Sequence, residues 1–320
     1  MNLFSQIVGH EQVKEHLLMA IQDDKAFHAY IFQGEQGTGK KMMARALAAG
    51  LQCSSEGEKP CGECQSCKQQ ASGNHPDIIW VTHEKSGIGV DDIRDQLNHT
   101  MDIKPYSSPY KIYIVPDAEK MTEAAQNALL KTIEEPPAYG VVILLTTNMN
   151  ALLPTIQSRC LKLELRPLSD TAVEQYLITH CQVPDYLAKT GAMFAQGNLG
   201  KAIRYVRSED FIEKKDKVLY LLKNKQEMTT YEMMCIMKEI GENKDDVGDY
   251  IDLMVLWYRD VLLYKATKDI NQLMFRENYS DISREATCKG YLKLEKVPCL
   301  PVGIKWPRTL PVLVKRSPLL

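Results

Sequence analysis

The stretch "GEQGTGKK", residues 34 to 41, places Gly34, Gly37, Gly39 and Lys40 where a phosphate-cradling loop needs them. Such a loop offers backbone N–H groups and a helix N-terminus to phosphate oxygens, and its lysine adds positive charge. The pattern normally ends in Ser or Thr, whose hydroxyl holds Mg²⁺. Lys41 stands there instead. The chain therefore carries a nucleotide-binding frame with one catalytic part replaced.

A second acidic position follows a short apolar run. "KIYIVPDAEKM" (111–121) reads as a buried strand ending near Asp117. A carboxylate at a strand end can position a metal ion beside a triphosphate, and a second one usually follows it to orient water. Here Asp117 is followed by Ala118, and the next acid is Glu119. Asp117 reads equally as a metal-facing carboxylate or as a cap on the end of the strand. "VVILLTTN" (141–148) is a third apolar run, whose polar end brings Thr147 and Asn148 to the same sheet edge. Ligands of parallel α/β sheets sit at the carboxyl ends of the strands. Thr147 is thus a sensor of a terminal phosphate or part of a strand-ending turn.

Cys53, Cys61, Cys64 and Cys67 lie within fifteen positions, spaced C-x7-C-x2-C-x2-C among Gly57, Pro60 and Gly62. Four thiolates in a turn-rich loop match a closed tetrahedral Zn²⁺ site, which is structural because no position stays open for substrate. The other five of the nine cysteines are scattered, and no metal is assigned to them.

These residues need elements to hold them. "HAYIFQ" (28–33) is a β-forming run before the loop, and "KMMARALAAGLQ" (41–52) is a helix with Met42, Ala46 and Ala49 expected on one stripe. From residue 209 the pattern is helical, with Val247, Ile251, Met254, Tyr258 and Val261 recurring at intervals of three and four. After roughly Ala286 that period disappears. Pro298, Pro301, Pro307, Pro311 and Pro318 exclude a long helix, and the basic residues after Glu295 have no acidic counterparts.

The chain has 320 residues, 44% hydrophobic and 25% charged, with a formal net charge of −2. That length suits two or three domains. The charge gives no global basic signal, so contact with nucleic acid must come from a local patch or a larger assembly. No signal peptide or spanning segment is expected, and the reading is cytoplasmic.

Taken together, "VGHEQV" (8–13), the loop at 28–41, the four-cysteine cluster, "NALLKTIEEPP" (127–137) and "LLPTIQSRC" (152–160) resemble bacterial clamp-loader subunits of the AAA+ class, over roughly residues 1 to 285. The resemblance implies an α/β AAA+ domain over 1–166 with a zinc-binding insertion at 53–67. A small helical lid over 167–208 and an all-α collar over 209–320 would follow. It implies delta and gamma/tau partner subunits in a hetero-pentameric ring within the DNA polymerase III holoenzyme. The ring loads a sliding clamp on primed DNA, and no membrane is involved. It also makes Arg159 of "SRC" a finger reaching a neighbour's nucleotide, and Lys201 of "GNLGKAIRY" the stand-in for a lid arginine.

Lys41, Ala118 and Lys201 depart from the pattern of the family's ATPase motor, whereas Arg159 does not. Zn²⁺ is the expected ion, and ATP with Mg²⁺ is a doubtful ligand. The expected role is a non-motor subunit. The alternatives are a gamma/tau-like motor and, more remotely, an unrelated zinc-containing nucleotide kinase. A helical collar should not end in a proline-rich tail, so the segment after about 286 reads as frameshifted or as a cationic tail that touches DNA.

Overall fold

The computed structural model describes residues 3–83, 86–207, 209–225, 227–242 and 247–287. The expectation for the tail beyond residue 287 lies outside the described residues. The chain divides into two compact units, residues 1–214 and 215–320.

The first unit is built on five strands: β1 (Ala29–Gln33), β2 (Ile78–Trp80), β3 (Lys111–Val115), β4 (Gly140–Thr146) and β5 (Leu161–Glu164). Every pairing is parallel, and the order is β2-β3-β4-β1-β5. β3 and β4 are buried throughout, as expected of near-continuous apolar strands covered on both faces. Alternate residues serve two cores. Tyr30, Phe32, Ile112, Ile114 and Ile143 pack on one face with Leu17 of α1 (Glu11–Gln22) and Met43 and Leu47 of α2 (Lys40–Leu51). On the other face, Ile31, Tyr113, Val115 and Leu144 meet Leu129 and Ile133.

Met42 is exposed, whereas Ala46 and Ala49 are buried, so the stripe expected on α2 is rotated away from Met42. A run of alanines offers little contrast by which to place a helix face, and Met43 supplies the buried volume. The short α3 (Gln65–Ala71) follows the cysteine loop. Beyond β2, α4 (Val90–Ile93) passes through a π-helical turn at Arg94–Asn98 into α5 (His99–Met101). α6 (Glu123–Glu134) lies between β3 and β4, and α7 (Pro154–Gln157) precedes β5. Three more helices follow in this unit: α8 (Asp170–Cys181), α9 (Asp185–Ala195) and α10 (Leu199–Arg207). They pack on one another and belong to the first unit.

α11 (Glu209–Asn224) runs through the division between the units. The described part of the second unit is helical, with α12 (Thr230–Glu242), α13 (Val247–Thr267) and α14 (Tyr279–Ala286). The apolar residues buried on α13 are Tyr250, Leu253, Leu256, Trp257, Val261 and Tyr264. Of the five residues expected there, only Val261 is among them. Val247, Ile251, Met254 and Tyr258 are at intermediate exposure. This helix is apolar around much of its circumference, and Trp257, wholly buried with its Nε1 donating to Glu285 Oε2 at 2.9 Å, decides which side faces in.

Candidate functional site

Strand order brings the chemistry together. β4 lies between β1 and β3, so the loop after β1, the turn after β3 and the end of β4 share one sheet edge. Gly34 begins the loop and donates its N–H to Thr146 O at 3.2 Å. Gly37 and Gly39 have φ of +94° and +95°, where a side chain would be strained, and Gly39 hands the chain directly to α2. Lys40 Nζ donates to Gly34 O at 2.6 Å and Glu35 O at 2.8 Å, folding back over the loop. Burial holds its ammonium below the usual lysine range. Glu119, Asp117 and Glu35 oppose that shift, and Lys41 reinforces it. Lys41 is exposed on the first turn of α2 and offers no hydroxyl to a metal.

Asp117, with φ of +49° and no side-chain capping bond, immediately precedes a short 3-10 turn, and its Oδ2 lies 3.5 Å from Lys120 Nζ. The turn buries Ala118 and carries Glu119 across to β4. There Glu119 accepts from Thr147 Oγ1 at 2.6 Å and from Thr147 N at 3.3 Å. Sequence reasoning noted this carboxylate but gave it no role, because Ala118 separates it from Asp117. The available signal was the D-x-E spacing after a proline, which suits a tight turn. Lys40, Asp117 and Glu119 thus share one electrostatic neighbourhood, with Thr147 bonded to Glu119.

The turn into α10 meets this loop. Gly200 N donates to Gly37 O at 3.0 Å, and Asn198 Nδ2, on a side chain only 2% exposed, donates to Gln36 O at 2.7 Å. A Cβ on Gly200 would lie 2.6 Å from Gly37 Cα, and one on Gly37 would lie 2.5 Å from Asn198 Oδ1. The residue against the loop is therefore Gly200, one position before Lys201. Lys201 takes part through its backbone N–H, which donates to Asn198 Oδ1 at 3.1 Å. Beside this clasp is a cavity of about 110 Å³ lined mainly by apolar side chains, including Ile7, Val8, Met42, Leu199 and Ile203. That is below the roughly 300–1,000 Å³ of sites that engulf a small molecule.

Arg159 has its partners outside the loop. It follows α7, is 40% exposed, and pairs through one terminal nitrogen with Glu134 Oε1 at 2.9 Å. Its other terminal nitrogen donates to Thr155 O at 3.0 Å. Neighbouring Cys160 is buried, and burial pushes its thiol up to about 12, which keeps it protonated and unreactive.

The four cysteines converge. Their sulfurs all lie within 4.8 Å of one another, with Cys53 to Cys64 and Cys61 to Cys67 each 4.0 Å apart. A tetrahedron with Zn–S bonds of about 2.3 Å has edges of about 3.8 Å. Backbone N–H groups already point at the sulfurs: Cys61 N to Cys53 Sγ, Cys64 N to Cys61 Sγ and Cys67 N to Cys64 Sγ, at 3.3 to 3.4 Å. Burial opposes ionisation of Cys64, but the Cys67 amide and hydrogen bonds from Ser54 outweigh it and bring the thiol to about 6. Cys67 is held protonated, chiefly by burial. The donor set is soft, closed and preorganised, so it could hold a metal ion.

A model of the family described as DNA polymerase III, delta subunit, matches residues 9–169. The delta' subunit of DNA polymerase III from Bacillus subtilis (strain 168) is 31% identical over 279 residues, covering 86% of this chain and 83% of that one. The tau subunit from the same organism is 28% identical over 304 residues, covering 88% of this chain, which spans about half (54%) of that relative's length. Among solved structures, a DNA polymerase III gamma subunit-related protein from Thermotoga maritima aligns with 19% identity and a TM-score of 0.48, over 89% of this chain and 96% of that one.

Proposed function

Because the chain belongs to the DNA polymerase III delta-prime family of clamp-loader subunits, we propose that it is the non-motor delta-prime member of a loader that places a sliding clamp on primed DNA. Its partners are then the delta and gamma/tau subunits of a hetero-pentameric ring, the clamp, and DNA reached through the assembly, in the cytoplasm. Among the described residues no helix is long and apolar enough to cross a membrane.

The observation that carries this reading is an asymmetry within the first unit. The loop that would hold a nucleotide lacks the metal-binding hydroxyl, and its Gly37 is clasped by the lid. Lys40 is turned onto loop carbonyls. Arg159, by contrast, is presented on the surface. A guanidinium supplied in trans stabilises charge developing on a transferred phosphoryl group, an effect of about 10³–10⁵ in rate for arginine fingers. In this role the α/β domain is a rigid stator, the helices over 167–208 a lid, and those from 209 onward a collar. Cys53, Cys61, Cys64 and Cys67 hold one structural Zn²⁺, which would tie the loop after α2 to α3 without taking part in chemistry.

Reconstituting the loader with and without this chain tests the proposal: clamp loading that proceeds equally well without it would sink it. A gamma/tau-like motor is the second reading, favoured by Glu119 standing at Thr147 where a carboxylate could act on water. ATP turnover by the isolated chain separates the two. Slow or absent turnover supports the stator, whereas motor-like turnover abolished by Lys40→Ala supports the motor.

A further inference from the structure

Arg159 is gripped from two sides. Its NH1 donates to Thr155 O at 3.0 Å and to Ser158 Oγ at 3.4 Å, while NH2 pairs with Glu134 Oε1 at 2.9 Å. Glu134 is the last residue of α6. The same helix pins the preceding segment, since buried Gln126 accepts from Leu153 N at 2.7 Å and donates to Ala151 O at 3.0 Å. Ile156 and Cys160 are buried on either side of Arg159. The backbone that carries the guanidinium is therefore held firmly, and the long side chain is the freedom that remains.

Both members of the Arg159–Glu134 pair are exposed, 40% and 45%. Ion pairs at that exposure contribute little to folding. The pair's geometric effect is larger than its energetic one. A guanidinium has five N–H donors in a rigid fork. Thr155 and Glu134 each engage one terminal nitrogen from the protein side, which leaves Nε and the remaining N–H bonds for an incoming anion.

We infer that Glu134 is a positioning residue for Arg159, setting the orientation of the fork before a neighbouring subunit's phosphate arrives. The inference rests on the trans-acting role proposed for Arg159. Ordering the side chain in advance removes rotamer freedom that would otherwise be lost when the transition state forms. The carboxylate also offsets part of the guanidinium's charge. A latch that withheld the finger would therefore have the opposite sign, with its removal accelerating the neighbour.

The test uses the reconstituted loader with clamp and primed DNA, reading kcat and KM for ATP separately. Glu134→Ala should lower kcat on the order of tenfold, the scale of a long side chain's rotamer freedom, with KM and the melting temperature unchanged. An effect confined to kcat marks an interaction realised in the transition state. Glu134→Gln keeps an acceptor oxygen and should recover most of the rate. Glu134→Ala combined with Arg159→Ala should be no slower than Arg159→Ala alone, because Glu134 acts through Arg159. Turnover of Glu134→Ala at or above wild type, no rescue by Gln, or additive losses in the double variant would each overturn the positioning role. If Arg159→Ala is slow and Glu134→Ala is normal, the positioning role alone fails; if Arg159→Ala is itself normal, the trans-acting reading fails with it.

Discussion

Gly200 of α10 rests on Gly37 of the loop after β1, joined by an N–H to O bond of 3.0 Å, and a Cβ on Gly200 would approach Gly37 Cα to 2.6 Å. Backbone meets backbone, so neither partner can yield by turning a side chain. Gly200→Ala should push α10 off the loop. Overpacking of this kind costs about 1–3 kcal/mol. The expected outcome is a lower melting temperature with faster hydrogen exchange in the first turn of α10. Unchanged exchange there would show that the clasp is loose.

Metal content provides a second check. Protein purified without added zinc should carry about one equivalent, as a closed four-thiolate site requires, and Cys64→Ser should lose it. Acid should strip the metal. The Cys64 thiol is depressed to about 6, below its ordinary range near 9. The stability that its ionised form contributes is therefore present above the unfolded value and lost as pH falls through about 6. Metal release on descending titration fits this sign, because protons compete with the metal for the sulfurs. Four freely titrating thiols in the purified protein would refute the site.

In the second unit, Asp260 is wholly buried, and its Oδ2 accepts from Met274 N at 2.7 Å and Phe275 N at 2.8 Å. Asp260→Ala strands both donors. Each buried donor left without a partner costs about 1–3 kcal/mol, so a marked loss of thermal stability is expected. Burial raises the Asp260 carboxyl above its ordinary range, against the two amides and Arg259. Its contribution is fully present below the unfolded value near 3.8 and declines as pH rises through the higher folded value. Asp260→Asn should accordingly flatten the pH dependence of unfolding just above pH 4, and an unaltered profile would count against that origin.

Arg159→Ala should leave folding and zinc content intact, since exposed ion pairs stabilise little. In the reconstituted loader it should lower ATP hydrolysis stimulated by DNA and clamp, and slow clamp loading. Arg159→Lys should rescue poorly, because an ammonium lacks the planar fork. Normal loading by the Ala variant would reduce Arg159 to a surface residue.

The local elements were legible from residue order alone. Strand, glycine loop and helix around Lys40 follow from an apolar run, two left-handed glycines and an alanine-rich segment, all short-range signals. The cysteine cluster was equally readable, because C-x2-C turns confine their sulfurs whatever the rest of the chain does. Long-range packing decided what spacing could not express. Placing β4 between β1 and β3 brings Thr147 to Glu119, a pair separated by 28 positions. Asn198 and Gly200 meet a loop more than 160 residues earlier, a contact that local spacing does not express. The buried side of α13 turned on where Trp257 found Glu285 and Phe275. Periodicity ranks the faces of a helix by composition, but burial is assigned by partners, and those partners are set only when the chain closes on itself.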